Sequence, residues 1–145
     1  MEKSLLFDSI QKINAYIVRY VETQLTQFKQ KSLSYSHYEI LRLLSLKNKR
    51  TFKDISTEII RHKSTVTVLV RKLFVQEFVY LEQCTKDKRK VYVCLTVKGK
   101  AFKGFINSIE QKLLIQLHKQ FTTNEQQIIS SQFNRFIKDS TLLKT

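Results

Sequence analysis

The chain has 145 residues, a hydrophobic fraction of 42% and a formal net charge of +14 from 26 Lys and Arg against 12 Asp and Glu. This length predicts one domain with enough apolar residues for a core, which excludes a disordered chain. No run approaches the roughly 20 apolar residues of a membrane span, and the N-terminus lacks the basic start and long apolar stretch of a secretory signal, so we expect a cytoplasmic protein without a membrane partner.

The first third of the chain predicts three helices. Apolar residues recur three and four positions apart over residues 6–28, which predicts an amphipathic helix of about 25 residues. Ser36 and Glu39 have the spacing of a capping box and predict the start of a second helix. Thr51 and Asp54 open a third helix in the same way.

The middle of the chain predicts one more helix and a β-hairpin. The fourth helix begins at Ser64, and its spacing predicts that four aliphatic residues point inward: Val66, Leu69, Val70 and Leu73. Residues 79–84 and 91–95 are too short and too rich in β-branched or aromatic side chains for helices, so we expect two strands. The basic segment 85–90 forms the turn between them.

The last third predicts two further helices, one capped by Thr96 and one opened by the capping box of Thr122 and Glu125. The first, fifth and sixth predicted helices cannot all bury their apolar faces against the small region between them. A second copy of the chain would cover the faces that remain, which predicts a homodimer. We therefore expect a mainly α protein with a small β-wing, built as one compact unit. Residues 33–96 form a winged helix-turn-helix region, and residues 1–32 and 97–145 form a helical dimerisation region.

Positive charge is concentrated in the segment that carries the fourth helix and the hairpin. Residues 47–103 hold 15 Lys and Arg against 5 Asp and Glu, whereas the other 88 residues hold 11 against 7. Such a concentration indicates a polyanionic partner. A helix fits the major groove of double-stranded DNA, and a hairpin tip reaches its backbone and minor groove.

Two groups of residues are candidates for binding DNA. In the helix, hydroxyls and backbone amides of the first turn can hold a phosphate, Val68 can pack on a thymine methyl group, and Arg71 can pair with guanine. In the hairpin, Arg89 can enter a narrow minor groove while the lysines attract phosphates. The groups are Lys63, Ser64, Thr65, Thr67, Val68 and Arg71, and Lys86, Asp87, Lys88, Arg89 and Lys90. The alternative, that each is an ordinary solvated residue, stays open.

Cys84 and Cys94 lie near the bases of the two predicted strands, close to opposite one another if the turn centres on residues 87–89. Lysines beside Cys84 could lower the pKa of its thiol, so a redox switch is one interpretation. The alternative is that both are small buried hydrophobic residues. The histidines, His37, His62 and His118, are isolated in sequence, so we expect no metal and no cofactor. No nucleophile–base pair, paired carboxylates or glycine-rich phosphate loop indicates an enzyme.

Three segments resemble the MarR family of bacterial winged-helix regulators, whose smaller staphylococcal relatives form the Sar group. They are Lys63-Ser64-Thr65-Val66-Thr67, Asp87-Lys88-Arg89 and Leu95-Thr96-x-x-Gly99. The resemblance implies a dimeric repressor or activator that phenolic ligands or oxidants release from DNA. It also implies that Asp87 pairs with Arg89 and fixes its direction. By analogy, a ligand pocket would be lined by Phe28, Tyr35, Tyr38 and Phe102, although aromatic residues at helical spacing are more often core.

The chain also departs from that family. Ile60 stands where a glycine often precedes the recognition helix, and Glu77 stands where a glycine usually follows it, which predicts backbone strain at Glu77. Val68 and Leu81 stand where arginines are common. Base preference therefore cannot be transferred from the family.

Three functional hypotheses follow. The first is a dimeric, sequence-specific transcription regulator with its recognition helix in the major groove and its wing in the minor groove. The second is an architectural DNA-binding protein with little sequence specificity. The third is a protein-interaction adaptor that docks a partner through exposed Phe74 and Val75. The salt dependence of DNA binding and the specificity ratio separate the first two.

Overall fold

The computed structural model describes residues 4–30 and 32–143. The chain divides into two units, residues 1–107 and residues 108–145. The first three residues of the predicted N-terminal segment lie outside the described part of the chain. Within the described ranges, no helix combines the length and the apolar character needed to cross a membrane.

Helix α1, Leu5–Gln27, confirms the first predicted helix. It begins after Ser4, whose hydroxyl accepts a hydrogen bond from the backbone N–H of Phe7 at 3.3 Å. Its C-terminal half packs into the core through Val21 and Leu25, which are buried. Its N-terminal half instead exposes a row of large apolar side chains: Leu5, Leu6, Phe7, Ile10, Ile13 and Tyr16.

Helix α2, Tyr35–Leu46, begins one residue after Ser34, so the predicted cap at Ser36 is wrong by two positions. The backbone N–H of Ser34 donates to Nδ1 of His37 at 3.0 Å. The imidazole thus makes the return bond of a capping box that the sequence pattern assigned to Glu39. Glu39 therefore does not serve as a cap.

Helices α3, Phe52–Glu58, and α4, Lys63–Val75, form the helix-turn-helix. The predicted capping box of α3 is confirmed, because the N–H of Asp54 donates to Oγ1 of Thr51 and the N–H of Thr51 donates to Oδ2 of Asp54, both at 3.1 Å. In the turn, Ile60 has a left-handed backbone with φ of 54°. A β-branched residue is strained in that conformation, which glycine adopts freely.

A three-stranded antiparallel sheet follows the order β1, β3, β2. The wing strands are β2, Val79–Gln83, which ends one residue before the predicted strand 79–84, and β3, Val91–Leu95, as predicted. Strand β1, Lys49–Thr51, was not predicted, because three polar residues carry no hydrophobic alternation and owe their extended form to pairing with β3.

The base of the wing is closed by Thr96 and Gly99. Oγ1 of Thr96 accepts the N–H of Gly99 at 3.0 Å and caps α5, Val97–Ala101. A Cβ on Gly99 would lie 2.1 Å from the backbone oxygen of Phe78, so only glycine fits. The single long helix predicted after Thr96 is divided, because the chain turns at Phe102 before α6, Lys103–Gln120.

The core of the first unit lies beneath the helix-turn-helix and the wing. It is built from fully buried aliphatic and aromatic side chains: Ile40, Leu41, Leu44, Ile55, Val66, Val70, Leu73 and Phe78. Of the four inward positions predicted on α4, Leu69 is only half-buried, because it lies at the edge of the buried face. The other three are buried and fix which face of α4 turns outward.

The second unit contains the end of α6 and helix α7, Thr123–Asp139. Its predicted capping box is confirmed by the bond from the N–H of Glu125 to Oγ1 of Thr122 at 3.2 Å. The apolar face of α7 is exposed: Ile128, Ile129, Phe133, Phe136 and Ile137. The boundary between the units falls inside the segment 97–145 that the sequence assigns to dimerisation, and that assignment stays a prediction.

Candidate nucleic-acid interface

The outward face of α4 carries the first group of predicted contacts. Its inward face is anchored in the core by Val66, Val70 and Leu73, so the residues between them turn to solvent. The exposed members are Lys63, Ser64, Thr65, Thr67, Val68 and Arg71. Val68 is 68% exposed, so its methyl groups are accessible to a partner.

The first turn of α4 is arranged to receive an anion. His62 precedes the helix without a side-chain capping bond, and the first turn contains no acidic residue. Oγ1 of Thr67 donates to the carbonyl of Lys63 at 2.9 Å, which leaves its lone pairs as acceptors. The positive end of the helix dipole and the Lys63 ammonium group therefore act in the same direction.

At the wing tip, Asp87 holds Arg89 as the sequence predicted. Oδ1 of Asp87 accepts the backbone N–H of Arg89 at 3.0 Å and its Nε–H at 3.1 Å. These two hydrogen bonds lower the pKa of the Asp87 carboxyl group below its usual value. Nη2 of Arg89 also donates to Oδ2 of Asp87 at 3.5 Å. The Arg89 side chain is nevertheless 92% exposed, so the N–H groups that do not bind Asp87 are accessible to a partner.

The turn that carries this pair is closed by hydrogen bonds. Nε2 of Gln83 donates to the carbonyl of Lys88 at 2.6 Å, and the N–H of Lys90 donates to the carbonyl of Asp87 at 3.0 Å. Lys86, Lys88 and Lys90 are exposed around it. The wing tip is thus an ordered turn with four cations around one partnered carboxylate.

The predicted opposition of Cys84 and Cys94 is wrong. In the register of the wing, Cys94 lies opposite Tyr80, while the N–H of Cys84 donates to the carbonyl of Lys90 at 2.9 Å. Four residues of strand, about 13 Å, separate the two levels, whereas a disulfide needs Cα atoms about 4.4–6.8 Å apart. An internal disulfide is therefore excluded in this register.

The two thiols differ in their ionisation. The backbone N–H groups of Asp87 and Lys86 lower the pKa of Cys84, with a smaller contribution from the charge of Lys90. Burial raises the pKa of Cys94, and the nearby Glu82 carboxylate adds to the rise. The expected lowering at Cys84 is thus present, but hydrogen bonding is its main cause. A response of either cysteine to oxidants stays a prediction.

Two of the predicted pocket residues lie in a row of phenylalanines whose rings contact one another at an angle, which we call the phenylalanine row. Ring centroids are 4.2 Å apart between Phe28 and Phe105, 4.8 Å between Phe105 and Phe102, and 5.3 Å between Phe102 and Phe78. Phe78 and Phe105 are buried, whereas Phe28 at the other end of the row is 56% exposed.

The other two pocket residues, Tyr35 and Tyr38, also contact each other, with centroids 5.8 Å apart. Burial raises the pKa of Tyr35, and the Glu39 carboxylate raises it further. Tyr38 is buried. A ligand pocket lined by these four aromatic residues stays a prediction.

The positions at which the sequence departs from the family it resembles differ in backbone conformation or exposed charge. Glu77, after α4, has a left-handed backbone with φ of 63°, as expected at a position that favours glycine. Leu81 is exposed on β2, where an arginine would have added another cation. Arg61, between α3 and α4, was missed as a candidate, although its place in the basic run before Lys63 was a usable signal.

Comparisons with known proteins agree with this geometry. A model described as "MarR family" matches residues 33–91. The HTH-type transcriptional regulator SarZ of Staphylococcus aureus is 28% identical over 85 residues, which are 59% of this chain and only 57% of SarZ. The structure of reduced AbfR bound to DNA is similar with a TM-score of 0.73 and 22% identity, over 92% of this chain and 90% of that one. NadR in complex with 4-hydroxyphenylacetate is similar with a TM-score of 0.79 and 16% identity, over 96% of both chains.

Proposed function

We propose that the chain is a member of the MarR family, whose model it matches over residues 33–91, and that it is a dimeric transcription regulator that binds a specific sequence of double-stranded DNA. It acts by binding and not by catalysis, and its place of action is the cytoplasm. The observation that carries the proposal is the Asp87–Arg89 pair, which presents an exposed guanidinium at the tip of a basic wing.

Helix α4 supplies the major-groove contact. Its exposed face combines hydroxyls, one aliphatic side chain and one arginine, which are the groups that touch base edges and thymine methyls. Arg71 lies two turns beyond Ser64 and can form a bidentate pair with guanine or neutralise a phosphate. Lys63 and the first-turn amides hold the backbone phosphates that set the register.

The wing supplies the minor-groove contact. A narrow minor groove concentrates negative potential and attracts an arginine. The two hydrogen bonds to Asp87 reduce the conformations available to Arg89 before DNA arrives, so less side-chain entropy is lost on binding. The three surrounding lysines add phosphate attraction that does not depend on sequence.

A second copy of the chain is the partner that the exposed apolar rows favour. The N-terminal half of α1 leaves Leu6, Ile10 and Ile13 exposed, and α7 leaves Phe133 and Phe136 exposed. Rows of this size on helices are typical of surfaces that another chain covers. A twofold dimer presents two α4 helices to successive major grooves, so we expect an operator with two related half-sites.

An effector is part of the proposal. NadR has been solved with 4-hydroxyphenylacetate and AbfR in a reduced form on DNA, which suggests a phenolic ligand or an oxidant as the class of signal. Tyr35 and Tyr38 are the candidate residues for a ligand, and Cys84 is the candidate thiol for an oxidant.

The test begins with selection of duplexes from a randomised pool, followed by anisotropy titrations of the selected duplex and a shuffled duplex at near-physiological salt. We expect a preference of roughly a thousandfold or more for the selected duplex. Arg89→Ala should weaken binding to every duplex, and Arg71→Ala should change the preference among duplexes. Arg135→Ala on α7 removes an equal charge from the other unit and is the matched control.

The outcomes separate the three hypotheses. Equal affinity for the selected and shuffled duplexes would replace the regulator with an architectural DNA-binding protein. No binding to any duplex would leave the adaptor hypothesis. Unchanged affinity of Arg89→Ala would remove the wing from the interface while leaving α4 in it.

A further inference from the structure

Arg61 lies in the turn that leads into α4, two positions before Lys63, the first residue of the helix. Its backbone is fixed twice by Ser56: the N–H of Arg61 donates to the carbonyl of Ser56 at 3.1 Å, and Oγ of Ser56 donates to the carbonyl of Arg61 at 2.6 Å. The left-handed conformation of Ile60 turns the chain immediately before it. The turn therefore fixes the backbone position from which the Arg61 side chain extends.

The far end of that side chain lies beside a carboxylate of another helix. The guanidinium NH2 of Arg61 is 3.9 Å from Oε2 of Glu39 on α2. This oxygen is buried and makes no hydrogen bond with a described residue, so charge and not a short bond connects the pair. The side chain of Arg61 is 44% exposed, against 21% for Glu39.

These features place a partly exposed guanidinium on the flank of the recognition helix. It lies two residues before Lys63, in the exposed segment that ends at Thr65. At 3.9 Å from the carboxylate, its N–H groups have no short bond to Glu39 to break before they reach a phosphate. The Glu39 carboxylate attracts this guanidinium group and limits the positions that it can take.

We propose that Arg61 is an additional DNA-binding residue that contacts a backbone phosphate where α4 enters the major groove, and that Glu39 is its positioning residue. The contact contributes to affinity and register but carries no base preference. This inference rests on the proposed function, because it assigns a new residue to the same interface. It extends that interface to the turn before the helix.

The experiment measures affinity as a function of salt concentration for the full chain, on the selected and shuffled duplexes. The variants are Arg61→Gln, Glu39→Gln and the double variant, with Arg135→Gln as the charge-matched control. Each phosphate contact contributes about 0.9 to the slope of log affinity against log salt, so Arg61→Gln should reduce the slope by about 1.8 per dimer. It should weaken both duplexes equally, by roughly tenfold.

The positioning role of Glu39 is tested by comparing Glu39→Gln in two backgrounds. We expect Glu39→Gln to weaken binding by roughly threefold in the wild-type background and to have no effect in the Arg61→Gln background, since it acts through Arg61. An equal effect of Glu39→Gln in both backgrounds would overturn the positioning role. Circular dichroism of each variant shows that the fold is retained.

The phosphate contact is overturned if Arg61→Gln binds with the slope of Arg135→Gln. A change in the ratio between the two duplexes would overturn the assignment to phosphate and indicate a base contact. Weaker binding of Arg89→Ala to both duplexes, measured in parallel, keeps this failure distinct from failure of the proposed function.

Discussion

Gly99→Ala should destabilise the protein strongly, because Gly99 lies where α5 meets the backbone of the wing. A Cβ there would be 2.1 Å from the oxygen of Phe78 and 2.9 Å from Cδ2 of Leu95. To reach an ordinary contact, α5 must move by about 1 Å or more. That oxygen also accepts the N–H and the hydroxyl of Thr96, both at 3.1 Å, so the movement strains two hydrogen bonds.

The expected magnitude follows from these contacts. Overpacking costs about 1–3 kcal/mol, and two weakened hydrogen bonds cost about 1 kcal/mol each. We therefore expect a loss of about 3 kcal/mol in the free energy of unfolding. This is a large part of the roughly 5–15 kcal/mol by which most domains are stable.

The assay is urea unfolding followed by far-ultraviolet circular dichroism at one fixed protein concentration, since the stability of the proposed dimer depends on concentration. Gly104→Ala is the matched control, because nothing lies within 4 Å of a Cβ at Gly104 in α6. It should be stabilised by about 0.5–1 kcal/mol, the usual gain of alanine over glycine in a helix. If Gly99→Ala unfolds at the urea concentration of the wild type, the close approach does not constrain this position.

Three further predictions concern stability and reactivity. Glu77→Gly should raise the free energy of unfolding by about 0.5–1 kcal/mol, because glycine relieves the left-handed strain; a loss in urea unfolding would refute this. Cys84 should react with iodoacetamide faster than Cys94 at neutral pH, since its pKa is lowered and that of Cys94 is raised; mass spectrometry of the labelled peptides decides. Burial lowers the pKa of His37 to about 4, so the folded state binds fewer protons than the unfolded state between pH 4 and 6.5. Stability should fall from pH 7 to pH 5 by about 2 kcal/mol, and His37→Gln should remove this fall in urea unfolding.

The elements with strong local signals could be predicted from the sequence. The periodicity of α1 and the capping boxes at Thr51 and Thr122 depend on residues three or four positions apart, and the structure confirms them. Strand β1 could not be predicted, because its three polar residues are extended only through pairing with β3, more than forty residues away. The predicted cap of α2 was misplaced because His37, and not an acidic residue, accepts the return hydrogen bond of the capping box.

In the candidate site, too, local contacts could be predicted and contacts between distant residues could not. The contact between Asp87 and Arg89 depends on a spacing of two and could be predicted. The relation of Cys84 to Cys94 depends on the register of two strands, which a shift of the turn centre changes. The approach of Arg61 to Glu39 joins the turn before α4 to helix α2, and no local pattern in the chain encodes it.

The phenylalanine row has a consequence for the way the first unit opens. It runs from Phe28 at the end of α1, through Phe105 and Phe102, to Phe78 at the base of the wing, where the Lys98 ammonium lies 4.5 Å from the ring centroid. Side chains in contact of this kind open together, because separating one ring removes part of the cover of the next. Amide hydrogens around α1's last turn, the start of α6 and the first residues of β2 should therefore exchange with deuterium as one cooperative group. Those of the wing tip should exchange earlier, through local fraying of a hydrogen-bonded turn.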